Sequence, residues 1–332
     1  MRRPKTNRHL RTLLQLLGCC AAILCIWQVP KIGSNFVVYL VSRILFMGLM
    51  AMSMNLLMGF GGLTSLAQAG FAGISGYAFA ICRATYKMDY IPSVLIALGL
   101  VLAVAVLFGF LSSRTSGTTF MMMTLALANL IHLCSLQWSN LTRGYNGIIG
   151  VRGPKIFGTS YSSTRMTIYL IAVVVVLAFF LAKRLTRSPF GMAIQGIRDN
   201  SVKMNSLGFN VQVIRIILVA VSSLFAGLAG ILLANFYATM APDNVTVSYS
   251  MMCLFMGVIG GSAYIEGGFI GAAIYILVLN YVSQYTQYDD AVVGVLFILA
   301  VFLIPRGIAG IKYFHKAYWD KRRLAARKTG PA

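Results

Sequence analysis

Long apolar runs separated by short polar or basic connections dominate the chain. Ten of them are read as membrane-spanning helices: residues 13–29, 36–58, 62–83, 93–111, 118–138, 166–182, 215–238, 249–263, 269–287 and 291–305. A straight helix perpendicular to a bilayer needs about 20 apolar residues. The third, eighth and tenth runs are therefore expected to be broken, tilted or partly buried in protein. The pattern predicts an all-α fold, a polytopic transmembrane helix bundle covering 13–305. A basic tail is expected at each end, 1–12 and 306–332, and a helix-patterned polar loop at 183–215. No low-complexity linker divides the chain.

Composition supports this reading. Of 332 residues, 58% are hydrophobic and 11% charged, against about 25% charged in an ordinary soluble domain. The net charge of +21 does not point to nucleic acid, because the charges cluster at the ends and in one loop, beside apolar runs. They read as topology determinants and as contacts to anionic membrane lipid. Ten spans with both tails on one side place twenty of the 28 lysines and arginines on that side. Both termini are thus expected to be cytoplasmic. The outer loop 139–165 is an exception, with four basic residues and no acid. The N-terminal segment resembles a signal peptide, but has no convincing small-x-small cleavage site before Pro30, so a retained first span is expected. The tail from Arg306 mixes aromatic and basic residues, which suits a membrane interface or a partner. Six cysteines lie in or beside apolar runs without CxxC spacing and read as buried apolar side chains.

The residues exclude several chemistries. No GxxxxGK[ST] phosphate loop is present. His9, His132 and His315 are scattered, no zinc spacing occurs, and the seven acids lie at span ends, in loops or in the tail. An enzyme is not expected, nor a cofactor or metal bound by this chain. Ion-coupled carriers often bury carboxylates in their spans. Here the clearest intramembrane charge is Arg43, which either snorkels, pairs or lines a path. Energy for transport is then expected from a separate subunit, docking at the basic loop from Lys183 to Arg215. A self-sufficient channel or secondary carrier is the contrary reading, and predicts solute flux through the chain alone.

Two segments carry candidate path residues. The third run, GFGGLTSLAQAGFAGISGYAFA, is rich in small residues. These serve either close helix packing or a break that presents backbone groups to a ligand. The fifth run places Asn129 and His132 three apart on one helix face, followed by an outer loop, TRGYNGIIGVRGP. A Gly-rich turn at Gly59–Gly62 and a second Gly-rich stretch from Gly257 to Ala273 both fall at expected cytoplasmic ends, hinting at an internal repeat. Gly62, Ser65, Gln68, Phe71, Tyr77, Asn129 and Asn146 are the candidates for a translocation path.

Four ordered segments carry a family likeness. They are GFGGLTSLAQAGFAGISGY, TLALANLIHLCSLQWSNLTRGYNGIIGV, SPFGMAIQGIRDNSVKMNSLGFNV and AGLAGILLANFYATMAPDNVTVSYSMMCLFMGVIGGSAYIEGGFIGA. Through them the chain, over roughly 36–305, resembles the permease subunits of bacterial branched-chain amino acid ABC importers, the LivH/LivM type, and LivM more than LivH. Ala67, Gln68 and the stretch Asn200–Met204 depart from the family pattern. The resemblance implies a LivH-like second permease subunit, two cytoplasmic ATPase subunits holding ATP and magnesium, and a periplasmic binding protein. It also implies the bacterial inner membrane. Solutes carried by related permeases include branched-chain and other amino acids, and urea or amides. The family's ATPase-coupling motif maps onto Ser188, Pro189, Gly191, Arg198, Asp199, Leu207 and Gly208. Ile194 and Ile197, three apart, are expected to face the ATPase groove.

Overall fold

The computed structural model describes residues 34–151, 153, 155–156, 159–160, 164–282 and 284–285, with further positions between 291 and 310. The expected first span, the N-terminal tail and nearly all of the C-terminal tail lie outside the described residues, as does much of the tenth span.

Helix α1, Asn35–Asn55, runs on through a π turn, Leu56–Phe60. Residues 61–67 are non-helical. Helix α2, Gln68–Ala80, then ends in a second π turn, Ile81–Thr85. Helices α3, Tyr90–Ser112, and α4, Gly117–Gln137, follow. A short helix α5, Ser139–Thr142, and a 3-10 turn, Gly144–Asn146, lead to strand β1, Ile148–Ile149. Strands β2, Lys155–Ile156, and β3, Thr159–Ser160, form a small hairpin. Helices α6, Thr164–Thr186, α7, Pro189–Asp199, α8, Ser201–Ser206, and α9, Val211–Tyr237, come next. Strand β4, Thr239–Met240, pairs antiparallel with β1, Ile148 opposite Met240. A 3-10 turn, Pro242–Val245, precedes α10, Val247–Gly260, and α11, Ile265–Val282.

Among the described residues, six helices are long and apolar enough to cross a membrane. Each of the spans expected between 36 and 287 overlaps one helix among the described residues, but the third and eighth helices are short: α2 has 13 residues and α10 has 14. Burial sorts the bundle into layers. The best apolar window of α9 is 72% buried and that of α1 61%, against 28% for α3, α4 and α6. The first two form the centre, with α2, while the outer three leave apolar faces to lipid or to another subunit. Helix α9 packs against α1, α2 and α3, and α1 against α6, α10 and α11.

The second Gly-rich stretch is mostly helix rather than turn. Only 261–264 break the chain, and Gly257, Gly260, Gly267, Gly268 and Gly271 lie inside α10 and α11. Backbone contact is the reason: a Cβ on Gly260 would sit 1.8 Å from the Gly267 carbonyl oxygen. Small residues here let two helices touch. The first Gly-rich turn meets the second, Gly59 lying against the Ser262 carbonyl.

Two groups of charged residues mark opposite ends of the bundle. Gly59, Arg114, Lys183, Arg198, Arg215 and Glu266 share one end, linked by Arg198–Gly59, Lys183–Glu266 and Arg215–Ser113 contacts. At the opposite end, Arg83 donates to the carbonyls of Met88 at 2.6 Å and Gly153 at 2.7 Å, beside the β1–β4 pair.

Candidate functional site

Two neighbouring constructions occupy the basic end and the layer above it. The first is the helix pair α7–α8, hung between α6 and α9. Ser188 caps α7: its Oγ accepts from the Gly191 N–H at 3.3 Å and donates to the Leu185 carbonyl at 2.6 Å. Pro189 takes the first helical position, where its missing N–H loses no bond. Gly191 lets the chain fold back on α6, since a Cβ there would lie 2.4 Å from the Thr186 oxygen. Asn200 ends α7 and caps α8, its Oδ1 accepting from the Lys203 N–H at 3.0 Å.

The apolar face of α7 turns inward. Ile194 and Ile197 are 4% and 5% exposed, and Ile194 joins a buried cluster with Leu57, Leu63 and Leu218. The expected partner-facing pair is thus part of the chain's own core, because the bundle itself covers that stripe. The apolar side chains left outward on this element are Met192, Val202 and Leu207. Gly208 beside Leu207 holds a positive φ of 86° with open space around it.

Arg198 joins the element to the bundle. Its Nη1 donates to the Gly59 carbonyl at 2.6 Å, and its Nε and Nη2 donate to Asp199 Oδ1 at 3.1 and 3.0 Å. Gly59 belongs to the π turn that ends α1, where carbonyls lack helical partners and favour a cation. Gly62, at φ 67°, makes room for this arm: a Cβ there would meet Arg198 Cγ at 2.6 Å. Lys183, at the end of α6, pairs with Glu266 at 2.9 Å.

The second construction is the broken segment before α2. Irregular backbone at membrane depth is tolerated only where protein or water satisfies it. Four helices supply hydroxyls for the purpose. The Leu66 N–H donates to Thr124 Oγ1 of α4 at 3.0 Å, and the Ala69 N–H to Ser250 Oγ of α10 at 3.0 Å. Gln68, fully buried, accepts from Ser53 Oγ of α1 at 3.1 Å through Oε1 and donates to Ser222 Oγ of α9 at 3.1 Å through Nε2. Ser222 Oγ in turn donates to the Ser53 carbonyl at 2.7 Å. Ser65 Oγ accepts from the Ala67 N–H at 3.2 Å.

The remaining sequence candidates are dispersed. Phe71 packs edge-on to Phe108 in the core. Tyr77 is buried near Ser135, and its hydroxyl has no hydrogen bond of good geometry. Asn129 is exposed on α4, and Asn146 is exposed at the opposite end. So the structure brings Ser65 and Gln68 together, sets Gly62 under Arg198, and leaves Tyr77, Asn129 and Asn146 apart. Sequence reasoning placed Gly59 only in a Gly-rich turn and passed over the hydroxyls Ser53, Thr124, Ser222 and Ser250. The only signal available for the hydroxyls was a polar residue inside an apolar run. Among the described residues no three His, Cys, Asp or Glu side chains come together.

The family described as branched-chain amino acid transport system / permease component matches residues 36–301. The chain belongs to this permease family. It is similar to the high-affinity branched-chain amino acid transport permease LivM of Escherichia coli K12, 26% identical over 283 residues, covering 78% of this chain and 67% of the relative. LivM of Salmonella typhimurium is 28% identical over 284 residues, with the same coverage of 78% and 67%. LivH of Escherichia coli K12 is 26% identical over 251 residues, 74% of this chain and 75% of the relative. No solved structure matches the chain. Membership in a family of transport permease components agrees with the apolar helices: this permease is a multi-pass membrane protein.

Proposed function

We propose that this permease is one membrane-spanning subunit of an ABC importer that carries branched-chain amino acids across a bacterial inner membrane. It works beside a LivH-like second permease subunit. Two cytoplasmic ATPase subunits bind and hydrolyse ATP with magnesium, and a periplasmic binding protein delivers the solute. The basic end of the bundle is the cytoplasmic end.

The observation that carries this reading is the α7–α8 element of a chain of this family, capped by Ser188 and Asn200, anchored by Arg198, and exposing Met192, Val202 and Leu207. A short helical element that presents apolar side chains outward fits the groove of a partner. Movement of the element acts on Gly59, and so on the end of α1 and the adjoining segment that Gln68 terminates. An ATPase drives the cycle only if it binds the two states of the permease unequally.

The test is reconstitution in liposomes. The complete complex with its binding protein is expected to accumulate leucine when ATP is on the ATPase side. The chain alone is expected to pass none. Flux through the chain without ATPase, or a complex that accumulates urea or an amide in place of leucine, overturns the assignment.

A further inference from the structure

Arg43 is the single charged residue of α1 and lies just past its second turn, about 12 Å from the start of the helix. The ion pairs among the described residues are Lys183–Glu266 and Arg198–Asp199, so Arg43 has none there. Its Nε is buried and makes no hydrogen bond. An unpaired cation at membrane depth is costly, and such a residue marks a place where an anion is met. This one stands on a central helix of the bundle, whose best apolar window is 61% buried.

Arg43 shares a face of α1 with Tyr39 and Phe46, one turn to either side. Both rings pack on the end of α9. The centroids of Tyr39 and Phe236 are 5.7 Å apart, and those of Phe46 and Tyr237 are 5.9 Å apart. The hydroxyls of Tyr39 and Tyr237 meet at 3.4 Å. The charge of Arg43 acts on Tyr237 and on Tyr249, in the first turn of α10, and no carboxylate acts on either. Arg43 and the three tyrosines are each half-buried. They stand where α1, the last turn of α9 and the first turn of α10 meet, at the end of the bundle opposite the α7–α8 element.

The chemistry of this seam selects its occupant. The Nε–H and the adjoining Nη–H of an arginine form a fork that fits the two oxygens of a carboxylate. When two hydroxyls meet, one donates and the other keeps its proton for a third group. A neutral amide or urea would leave the cation unpaired. The face that carries Arg43 is turned to α9 rather than to lipid, so the anion must pass between helices of this chain and be small.

We propose that Arg43, with the Tyr39–Tyr237 hydroxyl pair, receives the α-carboxylate of the carried amino acid as it enters the bundle. This inference rests on the proposed amino-acid cargo and narrows it: a solute must bring a carboxylate, and urea and neutral amides are refused at this point. Arg43 is then a specificity-determining residue for transport, and the absence of a fixed acid beside it keeps it free for each incoming solute.

The test uses the complete complex in two assays. In the first, without binding protein, phenylglyoxal labels arginines and peptide mass spectrometry reads Arg43. Leucine and isocaproate, which lacks the amine, are expected to slow the labelling of Arg43, and leucinamide to leave it unchanged. In the second, with binding protein and ATP, Arg43→Gln should cut leucine uptake by about tenfold or more. Arg43→Lys keeps the charge without the fork and should recover part of it. Equal protection by leucine and leucinamide, no labelling of Arg43 in the absence of solute, or parental uptake by Arg43→Gln overturns the proposal. Loss of the second permease subunit from the Arg43→Gln complex would assign Arg43 to an acid of that subunit instead. Protection by solute-free binding protein would assign it to docking. If Arg43→Gln fails to fold, the labelling of the parent decides. Labelling needs no turnover, so it judges Arg43 even where the parent complex fails to carry leucine and the transport reading falls.

Discussion

The Arg198 guanidinium donates to the Gly59 carbonyl at 2.6 Å, joining residues 139 positions apart in the chain. One belongs to the helix pair that hangs from the basic end. The other lies in the π turn, Leu56–Phe60, that ends α1. A force on α7 therefore reaches the bundle through a charged hydrogen bond and not only through apolar contact.

Arg198→Ala should leave the complex assembled and cut ATP-driven uptake about tenfold, the scale of one charge-assisted hydrogen bond. ATP hydrolysis should persist while transport falls, and this is read by measuring both rates in the same proteoliposomes. Arg198→Lys restores the charge without the fork and should recover only part of the uptake.

Gly191→Leu should unseat α7, because its side chain would run into the Thr186 carbonyl. Copurification of the ATPase with the permease is expected to fail. Gly208→Ala meets open space but a left-handed backbone. It should cost about 1–2 kcal/mol locally and leave the ATPase bound.

Ile194 and Met192 stand two positions apart in α7 with opposite exposures, 4% and 64%. Ile194→Ala should destabilise the permease by about 2–5 kcal/mol, seen as a lower melting temperature in detergent. Met192→Asp should leave melting within about 0.5 kcal/mol of the parent and weaken ATPase binding. The reverse result would show that α7 presents its other face to the partner.

Gln68→Leu keeps much of the volume but removes the bonds to Ser53 and Ser222. A loss of about 1–3 kcal/mol is expected, measured by thermal melting. Asn129→Ala, on an exposed face of α4, should change melting little. If it lowers uptake by the full complex without lowering the melting temperature, that face lines the path or meets the second permease subunit.

Much of the α7–α8 element was legible in the chain. Pro189 suits the first position of a helix and takes it behind the Ser188 cap, whereas the caps made by Asn200 and Asn210 emerge only in the structure. The inward turn of Ile194 and Ile197 was not legible. An amphipathic stripe shows that one face is covered, but not whether the cover is the same chain or another. The Gly-rich stretch near 260 misleads for a similar reason: glycine serves a turn and a tight helix contact equally well.

The sequence by itself determined the class of the molecule. Run lengths of apolar residues mark out the helices, six of which among the described residues are long and apolar enough to cross a membrane. Those are local properties, set by the cost of unpaired backbone in lipid. Only the tertiary structure decided which groups meet. Gln68 finds Ser53 and Ser222, Leu66 finds Thr124, and Arg198 finds Gly59. A hydroxyl within an apolar run has no periodicity to announce its partner. Its role appears only when packing brings four helices around one break in the backbone.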